Sequence, residues 1–151
     1  MPQKQTPQQS LGFILSDVAR MWRRAFNRRA YDLGLTQAQW QALAHISLNQ
    51  GMRQAQLADI LEVQPISVAR LIDRMEAAGW ICRKPDPDDR RAINLYPTQK
   101  AEPILSKMQA YAAEVRMFAL EGVSEAEQQS LRQALMAIKK NLAEEEGKKE
   151  T

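Results

Sequence analysis

The feature that most restricts the fold is the stretch RQAQLADILEVQPISVARLIDRMEAAGW at 53–80. Leu57, Ala58 and Leu61 are spaced as one face of a helix of about two turns. Val68, Leu71, Ile72 and Met75 are spaced as the inner face of a second helix. Only Glu62-Val63-Gln64 lies between them, so the connection must be tight. Pro65 suits the first turn of the second helix, where its missing N–H costs nothing, and Gly79 closes that helix. Two short helices joined in this way predict a helix-turn-helix.

The residues that follow predict a two-stranded ribbon. WICRK at 80–84 and AINLY at 92–96 carry β-favouring residues on either side of the turn-rich loop PDPDDRR. Ile93 and Leu95 alternate with Asn94 and Tyr96, so the two pairs are expected on opposite faces. Pro97 cannot donate to a ladder and ends the second strand. A hairpin directly after a helix-turn-helix makes a winged helix.

Long helices flank this lobe. Leu15, Val18, Ala19, Trp22, Phe26 and Leu33 fall at helical spacing within 11–33, and Gly34 ends that run. Thr36 with Gln39 has the capping-box pattern for a second helix, whose inner face is read as Trp40, Leu43, Ala44 and Leu48. Thr98 is positioned to cap a helix running to about 120, with a bend expected early because of Pro103. Ser124 and Glu127 form another capping box, and Leu131, Leu135, Ile138 and Leu142 then repeat as a narrow apolar seam. The fold class is therefore mainly α with a small β-hairpin. Residues 1–10 are expected to be a disordered arm and 147–151 a flexible tail. Between them, 11–146 form one domain, with a winged-helix lobe at about 35–97 and flanking helices at about 11–34 and 98–146.

Composition excludes several classes. The chain has 151 residues, 44% hydrophobic and 26% charged, which fits one soluble globular domain. No apolar run approaches the ~18–20 residues of a membrane span, and the first ten residues have no secretory h-region. A single cysteine, Cys82, excludes an internal disulfide and fits a reducing cytoplasm. Neither a Gly-rich phosphate loop nor a metal-ligand spacing is visible, which speaks against a small enzyme. The net charge of +3 is compatible with nucleic acid without demanding it.

With the apolar side of the second short helix inward, Gln64, Ser67, Arg70 and Arg74 turn outward next to Pro65. Gln can address adenine and Arg guanine in the major groove, and the N-terminal residues of such a helix reach furthest in. Any solvated amphipathic helix also has a polar face; the wing and the tight turn favour the DNA reading. At the loop tip, Arg90 and Arg91 suit a narrow minor groove. Asp89 stands two residues before Arg91, where it can accept a hydrogen bond and set the direction of that arginine. Arg53, Arg83, Lys84 and the helix N-termini near Thr36 and Gln54 are candidates for phosphate contact.

The helix-turn-helix, the DDRR motif at 88–91 and the LYPTQKA run into a long helix resemble the MarR family of winged-helix regulators. Its wing pattern is Asp-x-Arg followed by Leu-Thr-x-x-Gly. Asp89, Arg90 and Arg91 match the first part and Thr98 the threonine, while Pro97 and Ala101 replace the leucine and glycine. LTQAQWQAL at 35–43, Gln64-Pro65 and KAEPILSKM at 100–108 look closest to the SlyA branch. The resemblance implies a homodimeric repressor on a pseudo-palindromic operator, with 11–34 and 98–146 as dimerisation helices and 35–97 as the DNA-binding lobe, in the cytoplasm and associated with the nucleoid. It implies no cofactor, but release from DNA by a small aromatic carboxylate or phenolic effector. Here the crevice for that effector would take in Arg20, Arg23, Trp40 and His45. Cys82 reads as a small strand residue rather than a redox sensor, and His45 as a helix residue near the domain junction. The competing class is a winged-helix module that binds protein without DNA specificity.

Overall fold

The computed structural model describes residues 6–149. The chain divides into two compact units, residues 1–115 and 116–151.

In the first unit, Pro7–Gln9 forms a single 3-10 turn and the Ser10 side chain caps α1 (Leu11–Ala30) by accepting from the Phe13 N–H. The first five residues of the expected arm lie outside the described residues. A 3-10 turn at Tyr31–Leu33 follows α1, and Gly34, with φ 69°, makes the left-handed exit that glycine tolerates. Thr36 and Gln39 form the capping box of α2 (Gln37–Leu48). The buried side of α2 is Ala42, Leu43 and Ile46, whereas Leu48, expected inward, is exposed.

The sheet differs from the predicted ribbon. Met52–Arg53 forms a short strand β1, which pairs antiparallel with β3 (Ile93–Pro97), and β3 pairs in turn with β2 (Ile81–Pro85). The order is β1-β3-β2, with β3 in the centre. Covered on both edges, β3 buries Asn94 as well as Leu95, while Ile93 is exposed. Successive strand residues point to opposite faces, so β3 is covered on both faces at Asn94 and Leu95.

Between β1 and β2 lie α3 (Gln54–Leu61) and α4 (Pro65–Ala77). Glu62, with φ 54°, turns the chain between them, and Pro65 occupies the first turn of α4. Leu43, Ile46, Leu57, Val68, Ile72, Met75, Ile81 and Leu95 are almost fully buried and form the shared core of helices and sheet. At ~1.5–3 kcal/mol for each fully buried large side chain, this core fixes which face of α4 points inward.

Gly79 has φ 83°, and a Cβ there would lie 3.1 Å from Lys100 Cδ. The Thr98 hydroxyl donates to the Gly79 carbonyl and Lys100 Nζ to the Ala78 carbonyl at 2.8 Å, so the wing's return strand is fastened to the end of α4. Thr98 thus spends its side chain on Gly79 rather than on capping a helix. A 3-10 turn at Gln99–Ala101 leads into α5 (Glu102–Ala119). Pro103 is the second residue of α5, where it removes no helical hydrogen bond.

The second unit holds the end of α5 and then α6 (Glu125–Lys149). Ser124 and Glu127 form the predicted capping box, and the Ser124 N–H holds the Glu127 carboxyl below the usual glutamate range. The helix continues through 147–149, part of the expected tail, while the last two residues lie outside the described ones. Leu131, Leu135 and Leu142 are exposed on this helix.

Candidate nucleic-acid interface

Because Val68, Leu71, Ile72 and Met75 lock one side of α4 into the core, its opposite side faces out. Gln64, Pro65, Ser67, Arg70 and Arg74 are all exposed. Gln64 is the N-cap residue, yet its side chain makes no capping bond. No ion pair occupies Arg70 or Arg74 among the described residues; Arg74 Nε donates only to the Arg70 carbonyl, at 3.3 Å. Ser67 and Arg74 meet the N-terminal residues Thr36 and Gln39 around a hollow of about 430 Å3.

The wing tip is organised by a residue whose role sequence reasoning missed. Asp86 Oδ1 accepts the backbone N–H of Asp88 at 2.8 Å and of Asp89 at 3.2 Å, and Oδ2 lies 3.5 Å from the Arg53 guanidinium. The Asp88 N–H, the Asn94 amide, the Asp89 N–H and Arg53 together hold the Asp86 carboxyl below the usual aspartate range, against the opposing pull of burial. The signal available in the sequence was an aspartate at the start of the turn-rich PDPDD loop, where its carboxylate can accept the N–H two residues on as an Asx-turn. Asp89 does act on Arg91, but through the backbone: its Oδ1 accepts the Arg91 N–H at 2.9 Å. Both guanidinium groups, of Arg90 and Arg91, are exposed.

Arg53, Pro65, Asp89 and Arg91 come together around a cleft of about 310 Å3 between the start of α3, the start of α4 and the wing. Lys84 is exposed on β2, its ammonium 4.7 Å from the Tyr96 ring centre. Arg83 is different. Its guanidinium meets Asp73 at 2.7 Å, Glu76 at 3.3 Å, the Ala69 carbonyl at 3.2 Å and Gln54 Oε1 at 3.2 Å, and its backbone N–H donates to Glu76. It is therefore committed to joining β2, α3 and α4, rather than free for phosphate.

A model of the MarR family matches residues 35–93, which take in α2, α3, α4 and most of the sheet. The transcriptional regulator PA3341 is 35% identical, with a TM-score of 0.79 over 89% of this chain and 99% of that one. A MarR family regulator from Listeria monocytogenes, solved in complex with a 26mer DNA, is 28% identical, with a TM-score of 0.78 over 91% of each chain. The chain belongs to the MarR family. It is a winged helix-turn-helix, DNA-binding transcription regulator, and MarR family regulators are not enzymes. MarR itself matches with a TM-score of 0.81 at 26% identity over 95% of this chain and 98% of that one. SlyA is also 26% identical, so these comparisons do not separate the SlyA branch from the rest of the family.

Away from the wing, this MarR family chain has a mainly apolar cavity of about 330 Å3. Trp22, Arg23, Phe26, Trp40, Leu105 and Met108 are among its lining residues. The Phe26 and Trp40 rings lie 4.4 Å apart at 48°. The Trp40 indole N–H donates to Asn27 Oδ1, and Asn27 Nδ2 donates to Gln37, so the indole proton is already taken. Of the four residues expected to line a crevice, Arg23 and Trp40 meet here. Arg20 is paired with Asp17 at 2.9 Å, and neither it nor His45 lines the cavity. His45 is half-buried in α2 and Cys82 half-buried in β2. Among the described residues, no cluster of His, Cys, Asp or Glu could hold a metal ion, and no helix is long and apolar enough to cross a membrane.

Proposed function

We propose that this protein is a dimeric, sequence-specific repressor that places α4 in the major groove and Arg90 and Arg91 in the adjoining minor groove of each half-site. The observation that carries the reading is the outer side of α4. Gln64, Ser67 and Arg70 are held outward by a locked core and have no side-chain partner among the described residues. Next to them, Arg53, Pro65, Asp89 and Arg91 share one cleft with the wing. Two subunits would set two half-sites about one helical turn apart, a pseudo-palindrome of ~10 bp spacing. Pairing is supported by exposed apolar residues on α1, namely Leu11, Ile14, Val18 and Met21, and separately on α6. The protein would act in the cytoplasm, on the nucleoid. LTQAQWQAL, Gln64-Pro65 and KAEPILSKM support a place near the SlyA branch.

Control by a small aromatic carboxylate or phenol is the second part of the proposal. The cavity offers flat ring faces from Trp22, Phe26 and Trp40, and Arg23 has no ion-pair partner among the described residues. A guanidinium beside aromatic walls suits a carboxylate on a ring. Binding there would shift the population of lobe spacings away from the one that fits DNA.

Gel-shift at moderate salt, with duplexes enriched from genomic fragments, tests the DNA reading. Arg70→Ala and Arg91→Ala should each weaken binding by roughly five- to 150-fold per half-site, the ~1–3 kcal/mol of a good base contact. Unchanged binding in both variants would show that these arginines do not read DNA. A chain that enriches no duplex but captures a protein partner would be a protein-interaction module instead.

A further inference from the structure

Ile66 is the second residue of α4, and 60% of its surface is exposed. The other large apolar residues of that helix, Val68, Leu71, Ile72 and Met75, are all buried. At ~100° per residue, Ile66 stands about half a turn around the helix from that row. It therefore points away from the core, on the exposed side that also carries Arg70 and Asp73. Folding does not account for it. An isoleucine with most of its surface in water contributes little to the core, and a β-branched residue is a poorer helix former than the long polar side chains that serve solvated positions.

On the reading of α4 as the groove-entering helix, on which this inference rests, Ile66 is the side chain at the centre of the contact. The base-pair edges in the major groove present donors and acceptors, and one apolar group, the C5-methyl of thymine. An isoleucine offers no hydrogen bond, so facing any other edge it would strip water from a polar atom and return nothing. We infer that Ile66 is a specificity-determining residue that packs on a thymine methyl in each half-site.

The test uses the full chain and the duplex it enriches from a random-sequence pool at moderate salt. Each thymine of that duplex is replaced in turn by deoxyuridine, which removes one methyl and leaves every hydrogen-bonding group in place. In each half-site one replacement should weaken wild-type binding about fourfold, the ~0.8 kcal/mol of one methyl-sized group. Replacing both should weaken it by roughly fifteenfold. Ile66→Ala should bind the thymine and uracil duplexes equally, and Ile66→Val should keep part of the discrimination. Melting temperature should stay unchanged in both variants, because the side chain lies outside the core. Equal wild-type binding to every uracil duplex would overturn the assignment while leaving DNA binding itself standing, as would discrimination that survives in Ile66→Ala. Failure to enrich any duplex would refute the DNA reading underneath it.

Discussion

Replacing Arg83 by alanine separates a residue that builds the DNA-binding surface from one that touches DNA. Its side chain is 22% exposed, while its two carboxylate partners are largely in water, Asp73 at 64% and Glu76 at 41%. Each of those ion pairs is screened and contributes only ~0.5 kcal/mol. The bonds to the Ala69 carbonyl and Gln54 Oε1 are better covered, and each contributes about 1 kcal/mol as a charge-assisted bond discounted for partial exposure. Together the loss is roughly 3 kcal/mol, which for a chain of this size lowers the melting temperature by about 6–12 °C. Lysine at this position keeps the charge but cannot fork to four acceptors, so Arg83→Lys should recover only part of the loss. The second assay is the salt dependence of duplex binding. A lost phosphate contact makes the slope of log K against log salt shallower by about 0.9 per contact. Arg83→Ala should weaken specific binding and leave that slope unchanged. An unaltered melting temperature together with a shallower slope would refute the structural role and make Arg83 a phosphate contact.

Asp86 has a folded pKa below its ordinary value, so its contribution is fully present above the unfolded pKa of ~3.9 and is lost as pH falls through the depressed folded value. The amide NMR shifts of Asp88 and Asp89 should titrate with a midpoint below 3.8, and Asp86→Ala should abolish the transition; a midpoint at or above 3.8 would contradict this wing geometry. Tyr111 has the opposite sign. Its hydroxyl donates to the Asp32 carboxylate at 2.8 Å, and that bond raises its pKa above 10.0. The stabilisation is present at neutral pH and is lost as pH rises through the raised value. Ring-proton NMR should place the Tyr111 titration above 10, and Asp32→Asn should lower it; no change on that substitution would show that the bond does not form in solution.

Local signals carried most of the helix boundaries. Thr36 with Gln39, Ser124 with Glu127, Pro65 and Gly79 each act within a few residues of themselves, so their chemistry is readable in order along the chain. What escaped was set by distant partners. β1 is two residues long and exists because Met52 and Arg53 pair with Leu95 and Asn94 some forty positions on. That same pairing sets Arg53 opposite Asn94 on the second edge of β3, where Asn94 is buried. Arg83 looked like a free cation because Gln54, Ala69, Asp73 and Glu76 all belong to other elements. Asp86 did not stand out within the loop PDPDDRR, because its effect comes from the two backbone N–H groups it accepts. The cavity draws on α1, α2 and α5 at once, and only the Arg23 and Trp40 parts of it were legible in advance.

These cross-links bear on how a new operator preference could arise in this lobe. Arg83 fastens β2 to α3 and α4, Asp86 ties the wing turn to Arg53 at the head of α3, and Thr98 with Lys100 anchors the return strand to the end of α4. A change at any of these residues moves helix and wing together, and so costs stability and affinity on every sequence. Among the described residues, the side chains of Gln64, Ser67 and Arg70 have no hydrogen-bond or ion-pair partner, and Ile66 is largely exposed; all four sit at or on a helix whose inner row is already fixed. Substitutions there lie outside the core, where the effect on stability is usually within about 0.5 kcal/mol, while a single base contact is worth ~1–3 kcal/mol of discrimination. On the proposal that α4 enters the major groove, sequence preference would be exchangeable at those four positions almost independently of folding.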